Sequence, residues 1–426
     1  MKYQAPRGTQ DVLPADSYRW QRLEAEFREL CRLFGYREIR TPTFEDTELF
    51  VRSSGETSDI VSKQMYSFAD KGGRDITLKP EGTAPAMRAL VEHSLCPPGT
   101  IQRMSYITPI FRYERPQKGR LREAHQVGIE LVGSAAAAAD AEVIEFTVGF
   151  YDRIGVEEVE VSINSLGRGA CRDAFRAAVL AHAQGYLANQ SDEVRAKAEK
   201  NPLRLLDSKD PGAIEAMRNA PRVLDFLEPE SKARLAELER LLGQAGVTYR
   251  VDPGIVRGLD YYTETVFEVL SAKIGAQSAL CGGGRYDDLV SQLGGQPTPS
   301  VGVAMGIERA LLVLEAQGGP NWQPDLPAAF VVAVDSELSG TAARDRARGL
   351  GRDLRGAGLA CVVDLDAKSL KSQLKQADRS GARFAVIVGE SELGSGEATV
   401  RDLTSGEQTP VRFDQLVSFI ARAVET

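Results

Sequence analysis

The stretch VRGLDYYTETVFEV, Val256–Val269, has two halves that ask for different surroundings. From Thr263 to Val269 the β-branched and aromatic content is that of a half-buried strand. Before it, a guanidinium (Arg257), a carboxylate (Asp260) and two phenols (Tyr261 and Tyr262) crowd beside Gly258, where a core would take valine. What these polar groups serve has to be read from the rest of the chain.

At 426 residues the chain exceeds one ordinary core, so two or three domains are expected. With 42% hydrophobic and 26% charged residues it has the composition of a soluble globular protein. No apolar run approaches the roughly 20 residues of a membrane span. The start MKYQAPRGTQ lacks a signal peptide's apolar core, so a cytoplasmic protein with no membrane partner is expected. Cys31, Cys96, Cys171, Cys281 and Cys361 are far apart with no CxxC pair, which reads as reduced, packed thiols. The net charge of −8 argues against a chain coated in nucleic acid but leaves room for local basic stripes. Three histidines give metal chemistry and histidine acid catalysis little to work with.

Trp20, Leu23, Phe27, Leu30 and Phe34 recur at helical spacing after an N-cap at Asp16 or Ser17, and Gly35 ends the run. YREIRTPTFE reads as extended, SSGETSD as a mobile loop, and RDITLKPEGTAPAMRALVEH as a strand, a turn and a helix capped by Thr83. Strand signals run from Ile101 to Val132, broken by the basic turn RPQKGRLR, and GSAAAAAD leads into a helix from about Asp140. From about 167 to 247 the composition shifts to Ala, Glu, Arg and Leu, which suggests a helical insert. GGPNWQPDLP, Gly318–Pro327, is the clearest linker. Beyond it AAFVVAV, LACVVDL and RFAVIVG alternate with helical segments, the pattern of a parallel βαβ unit. Two domains are therefore expected, 1–325 and an α/β domain at 326–426.

Four constellations could carry chemistry. In EAHQVGIELVG, strand alternation puts Gln126, Gly128 and Glu130 on one face and His125 with the apolar residues on the other. The glycine between amide and carboxylate reads either as a recess for an ammonium group or as a bulge on an exposed face. His125 reads as a packed core histidine. In IFRYERPQKGR, Arg112 and Glu114 point the same way and Arg115, Lys118 and Arg120 crowd the turn, as a polyphosphate grip or a charged hairpin tip. In KPEGTAP, Glu81 precedes the helix and could add a second carboxylate to an ammonium site or serve capping alone. In LCGGGRYDDLV and VGVAMGIERALL, three glycines allow close backbone approach without forming a P-loop or GxGxxG. Arg309 there needs an anion, either Glu308 or a phosphate. A ligand pair of both signs, an amino acid and ATP, satisfies all four, and carboxylate attack on an α-phosphate needs only positioning and charge stabilisation.

APRGTQDVLP, KPEGTAPAMRAL, IFRYERPQKGRLREAHQVGIE, VRGLDYYTETVFEV, CGGGRYDDLV and VGVAMGIER, in this order, resemble histidyl-tRNA synthetase, a class II aminoacyl-tRNA synthetase. The resemblance covers nearly the full length and is weakest in the insert. It implies an α+β fold: a catalytic domain with an antiparallel six-stranded sheet and helical insert, then a C-terminal α/β anticodon-binding domain. It also implies a homodimer joined partly through Trp20 to Pro42. By position, Glu81, Thr83, Gln126 and Glu130 would hold the histidine ammonium and its surroundings. Arg112 would contact the α-phosphate of ATP and Glu114 the adenine, while Arg120 and Arg309 hold the outer phosphates. Arg257 would stabilise charge at the α-phosphate, and Tyr261 and Tyr262 would line the imidazole pocket with phenols able to donate or accept. ATP with Mg2+ and tRNA(His) are the implied partners, with no protein-bound metal.

Lys79 stands where many relatives have arginine, and Gly282 and Val303 vary around their motifs. KSLKS, Lys368–Ser372, resembles a class I synthetase loop but lacks the HIGH element that accompanies it. In the tail, Arg344, Arg348, Arg352 and Arg355 share one helix face, and Lys368, Lys371, Lys375 and Arg379 another, as solvated stripes or an RNA surface. The rival readings are a catalytically silent regulatory protein that binds histidine and an adenylating ligase for another acid. The first should lose parts of the Arg257 motif or the tail, and the second gives no reason for the tyrosine pair.

Overall fold

The computed structural model describes all residues except 1, 2, 56, 57, 118, 207, 209, 256–258, 260, 275–278, 339, 367 and 426. The chain divides into two compact units, Met1–Trp322 and Gln323–Thr426.

In chain order the strands of the first unit are β1 (Arg37–Glu38), β2 (Phe44–Asp46), β3 (Tyr66–Ala69), β4 (Asp75–Leu78), β5 (Gln102–Phe111), β6 (Glu123–Val132), β7 (Val159–Ser165), β8 (Tyr249–Val251), β9 (Thr263–Ser271), β10 (Ala279–Arg285) and β11 (Ser300–Gly306). Eight of them form one sheet in the order β1-β5-β6-β11-β10-β9-β7-β8. The six inner strands pair antiparallel throughout. Short β1 and β8 add in parallel at the two edges. β2, β4 and β3 make a separate small sheet.

Alternation along β6 sorts its side chains as the sequence predicts: Val127, Ile129 and Leu131 enter the main core. Two helices cover that face, Ser17–Phe34 and Ala137–Arg153. Phe27 meets Phe146 and Phe150 edge-on, with centroids 5.9 and 5.7 Å apart, and each such buried ring contributes about 1.5–3 kcal/mol. Gly35 ends the first helix in the left-handed conformation at φ 76°. Asp16 occupies its N-cap position, but the side chain makes no capping hydrogen bond.

Two expected boundaries shift. The alanine-rich helix begins at Ala137, which turns Asp140 inward, where its carboxylate meets Arg285 at 3.0 Å and Arg234 at 3.4 Å. In SSGETSD, Ser53 and Ser54 belong to the helix Thr47–Ser54, held down by buried Leu49 and Phe50, rather than to a mobile loop. Glu56 and Thr57 lie outside the described residues. Between β7 and β8 the described residues are helices and turns, beginning with Gly169–His182 and ending with Pro229–Gln244.

The second unit carries β12 (Ala329–Ala333), β13 (Cys361–Val363), β14 (Phe384–Val388), β15 (Glu397–Asp402) and β16 (Gln408–Arg412) in the order β13-β12-β14-β15-β16. The first three strands in that order are parallel, and β15 and β16 add antiparallel. The helices Ala342–Gly356 and Leu370–Arg379 follow β12 and β13, so the run is βαβ as its apolar segments suggested.

Candidate functional site

The face of the large sheet opposite the Val127 core opens into a cavity of about 710 Å³. Its floor is a cross-strand row in which Ala304 pairs with Gly282 and Gly282 with Glu268. Gln126, opposite Gly306, extends the floor along β6. The amide oxygen of Gln126 is buried with no hydrogen-bond partner among the described residues. Glu81, Thr83, Arg112, Glu114, Arg120, Tyr261, Tyr262 and Arg309 also line this one cavity, although they come from widely separated stretches of chain.

Glu81 is 3% exposed, and its two carboxylate oxygens accept from the amides of Thr83 at 2.7 Å and Ala84 at 2.8 Å. The helix Thr83–Glu92 is therefore capped by Glu81 and not, as predicted, by Thr83, which is its first helical residue. Burial still pushes the Glu81 carboxyl above the ordinary range, against the pull of those two amides.

Glu130 stands differently from its sequence expectation. It is fully buried and absent from the cavity wall, because the ring of Tyr106 lies over Gly128 and fills the recess the glycine leaves. Tyr106 donates to one Glu130 oxygen at 3.0 Å, and Tyr286 donates to the other. Burial raises the Glu130 carboxyl to about 8, partly offset by its tyrosine hydrogen bonds. Tyr106 also lies 3.4 Å from the Thr83 hydroxyl, so Glu130 reaches the cavity through a phenol. Local sequence pattern missed Tyr106 and Tyr286, since the pairing of Tyr106 with Gly128 is a register fact.

Three arginines also line the cavity. β5 ends at Phe111, so Arg112 and Glu114 lie just past the strand rather than on it. Arg112 donates Nε to the Pro80 carbonyl at 2.7 Å, leaving its far nitrogens toward Glu114, 4.0 Å away. Arg120 lies 3.6 Å from Glu114. Arg309 donates to the Ala279 carbonyl. Burial lowers the pKa of Arg112, and burial together with Arg120 lowers that of Arg309. Three guanidiniums around one carboxylate leave a net positive corner that favours an anion.

Glu308 is not the partner of Arg309. It accepts from the His125 backbone amide at 3.0 Å and approaches His125 Nδ1 at 3.0 Å, with Trp20 edge-on to the imidazole at 5.0 Å. His125 is thus half-buried and bonded to Glu308, and not a packed core histidine. Burial opposes its charge, but the Glu308 bond outweighs it and raises the imidazole above its ordinary value.

Tyr261 and Tyr262 are buried, with ring centroids 4.7 Å apart, and Tyr286 backs Tyr261 at 5.6 Å. Arg257 lies outside the described residues, as does Lys118 of the basic turn. The glycine triplet mainly serves packing. A Cβ on Gly283 would fall 2.6 Å from Phe267, and one on Gly284 3.0 Å from Tyr262, so only Gly282 of the three meets the cavity. The neighbouring Arg285 is fully buried on Asp140, Asp287 and two carbonyls, a structural cation.

A family profile described as histidyl-tRNA synthetase matches residues 8–310. The chain belongs to the histidyl-tRNA synthetase family. A second profile, described as an anticodon binding domain, matches residues 328–423. The histidine–tRNA ligase of Caldanaerobacter subterraneus subsp. tengcongensis is 44% identical over 416 residues, 98% of this chain and 99% of the relative. The crystal structure of apo S. aureus histidyl-tRNA synthetase superposes with a TM-score of 0.83 at 35% identity, covering 98% of this chain and 99% of that one. A structure from Bacillus halodurans C, titled an ATP phosphoribosyltransferase regulatory subunit/histidyl-tRNA synthetase, reaches 0.65 at 25% identity, covering 91% of this chain and 99% of that one. As a class II histidyl-tRNA synthetase the chain is an aminoacyl-tRNA ligase that uses ATP and histidine and carries an anticodon-binding domain. Among the described residues no helix is long and apolar enough to cross a membrane.

Proposed function

We propose that the chain charges tRNA(His) in two steps within this cavity. Histidine's carboxylate oxygen attacks the α-phosphorus of ATP, the bond to the β-phosphate oxygen breaks, and histidyl-adenylate and pyrophosphate form. A ribose hydroxyl at the tRNA 3′ end then attacks the adenylate's carbonyl carbon, and AMP leaves. One observation carries this reading: a single cavity is lined by Glu81, Gln126, Tyr261 and Tyr262 together with Arg112, Arg120 and Arg309.

In this reading the ammonium of histidine lies against Gln126 and Glu81, with Thr83 beside them. Glu130, protonated at neutral pH, holds the Tyr106 phenol in place beside Thr83 and makes no direct contact with the substrate. Tyr261 and Tyr262 hold the imidazole, whose one donor and one acceptor nitrogen suit phenols. Arg112 takes the α-phosphate, Glu114 the adenine amino group, and Arg120 and Arg309 the outer phosphates. Arg257 stabilises the charge that develops at the α-phosphate, a role that stands on its motif alone. ATP enters as its Mg2+ complex, a substrate. The active form is a homodimer and works in the cytoplasm.

ATP–pyrophosphate exchange across all twenty amino acids, with Arg257→Ala alongside, tests the reading. Exchange with histidine alone, lost in the variant, is expected. No exchange from folded, ATP-binding protein would favour the catalytically silent regulator.

A further inference from the structure

Both ends of the helical segment between β7 and β8 close on the residues that follow Tyr261. Glu264 is 3% exposed and adopts φ +43°, a region disfavoured for a residue with a side chain. It lies where the pairing of β9 with β10 slips register, between Gly284 and Arg285. Its carboxylate is gripped from both sides of the segment. Ser165, at the end of β7, donates to Oε2 at 3.3 Å. Ser231, in the segment's last helix, donates to Oε1 at 2.8 Å, and Arg168, just before its first helix, lies 3.2 Å from the same oxygen.

The neighbours of Glu264 are held from the same side. Arg172, in the helix Gly169–His182, donates Nη1 to the carbonyl of Tyr262 at 2.9 Å. Arg168 also pairs with Asp287, whose backbone amide donates to the Thr263 hydroxyl at 3.3 Å. The amide of Leu166 donates to the Glu264 carbonyl at 2.7 Å. Tyr262, Thr263 and Glu264 are thus each tied, directly or through Asp287, to the mouth of the helical segment. Arg168, Arg172 and Glu264 do not line the cavity. Glycine would meet φ +43° without strain, so a glutamate there is explained by where its carboxylate reaches.

We propose that Arg168, Arg172 and Glu264 are positioning residues that fix the Tyr261–Tyr262 wall and make its geometry depend on the seating of the helical segment. This rests on the assignment of Tyr261 and Tyr262 to the histidine substrate. A pocket wall on an irregular strand start needs support behind it, because small displacements of substrate-facing groups are costly to rate. The clasp supplies that support from a segment none of whose described residues lines the cavity.

The test uses full-length Glu264→Gln, Arg172→Ala and Arg172→Lys in ATP–pyrophosphate exchange, with thermal unfolding measured with and without histidine. The KM for histidine should rise about ten-fold in Glu264→Gln and Arg172→Ala while the KM for ATP holds. The rise in melting temperature that histidine gives the wild type should shrink in both, and Arg172→Lys should recover part of each effect. An unchanged histidine KM in folded variants overturns the proposal. So does a parallel loss for both substrates with a lowered melting temperature, which is a merely structural role. If the wild type shows neither histidine-dependent exchange nor a histidine-induced shift, the substrate assignment itself fails and this inference falls with it.

Discussion

Tyr106 and Gly128 are register partners on β5 and β6, and a Cβ on Gly128 would lie 2.4 Å from the Tyr106 ring. Gly82 is equally close to the ring at 2.4 Å. The phenol packs closely against both glycines, and its hydroxyl reaches Thr83 and Glu130.

Gly128→Ala must therefore push the ring off its seat. Overpacking of this kind costs about 1–3 kcal/mol of stability. A displaced ring next to the ammonium end should lower kcat/KM for histidine on the order of 100-fold. Steady-state exchange kinetics on the folded variant would check this, and wild-type values would contradict it.

Glu130 gives a pH signature. Its carboxyl titrates at about 8 in the fold against an ordinary 4.5. Between these values the folded chain keeps a proton that the unfolded chain has released, so this group makes stability fall as pH rises through the window. Glu130→Gln should remove that slope, so the wild type loses ground to the variant between pH 5 and pH 8, by at most about 4 kcal/mol. Urea unfolding at both pH values reads it, and parallel curves would contradict it.

Arg309 and Arg120 should separate in their effects on nucleotide. Arg309 is the more enclosed, and a hydrogen bond to a charged group contributes about 1.5–3 kcal/mol. Arg309→Ala should raise the KM for ATP roughly 10- to 100-fold with the histidine KM unchanged. Arg120, more exposed and opposite Glu114, should cost less when replaced. Exchange kinetics with ATP varied would show the order.

Arg285 bears on stability rather than on chemistry. Arg285→Met removes the buried cation that Asp140 and Asp287 share, leaving Asp140 to Arg234 and Asp287 to Arg168. Breaking a buried pair from one side costs about 3–5 kcal/mol. A large drop in the urea midpoint is expected, and a neutral result would contradict the structural reading of the CGGGRYDD motif.

What the sequence could and could not convey follows from the range of each signal. Periodicity is local, so the Val127–Leu131 face, the Trp20–Phe34 helix and the βαβ run of the second unit were legible. Register is not local. That Tyr106 fills the space over Gly128, that Glu308 chooses His125 over Arg309, and that Phe267 accounts for Gly283 all depend on partners far along the chain. Sequence assigns the cap to Thr83 because hydroxyls are the usual caps and leaves capping by Glu81 as one alternative, and here the buried Glu81 carboxylate takes the amides of Thr83 and Ala84. The edge strands β1 and β8 have only two and three residues, too short for alternation to register.

The strand order has a consequence for how the chain is made. β6 is complete at Val132, yet its partner on one side, β11, begins only at Ser300. On a ribosome the helical segment between β7 and β8 can fold from local contacts while the β6 edge stands open, a slow, high-contact-order closure with an unpaired edge exposed meanwhile. Synthesis that stalls before Gly306 would leave that edge unpaired and no substrate cavity formed, so quality control of the nascent chain should bear most heavily on this window.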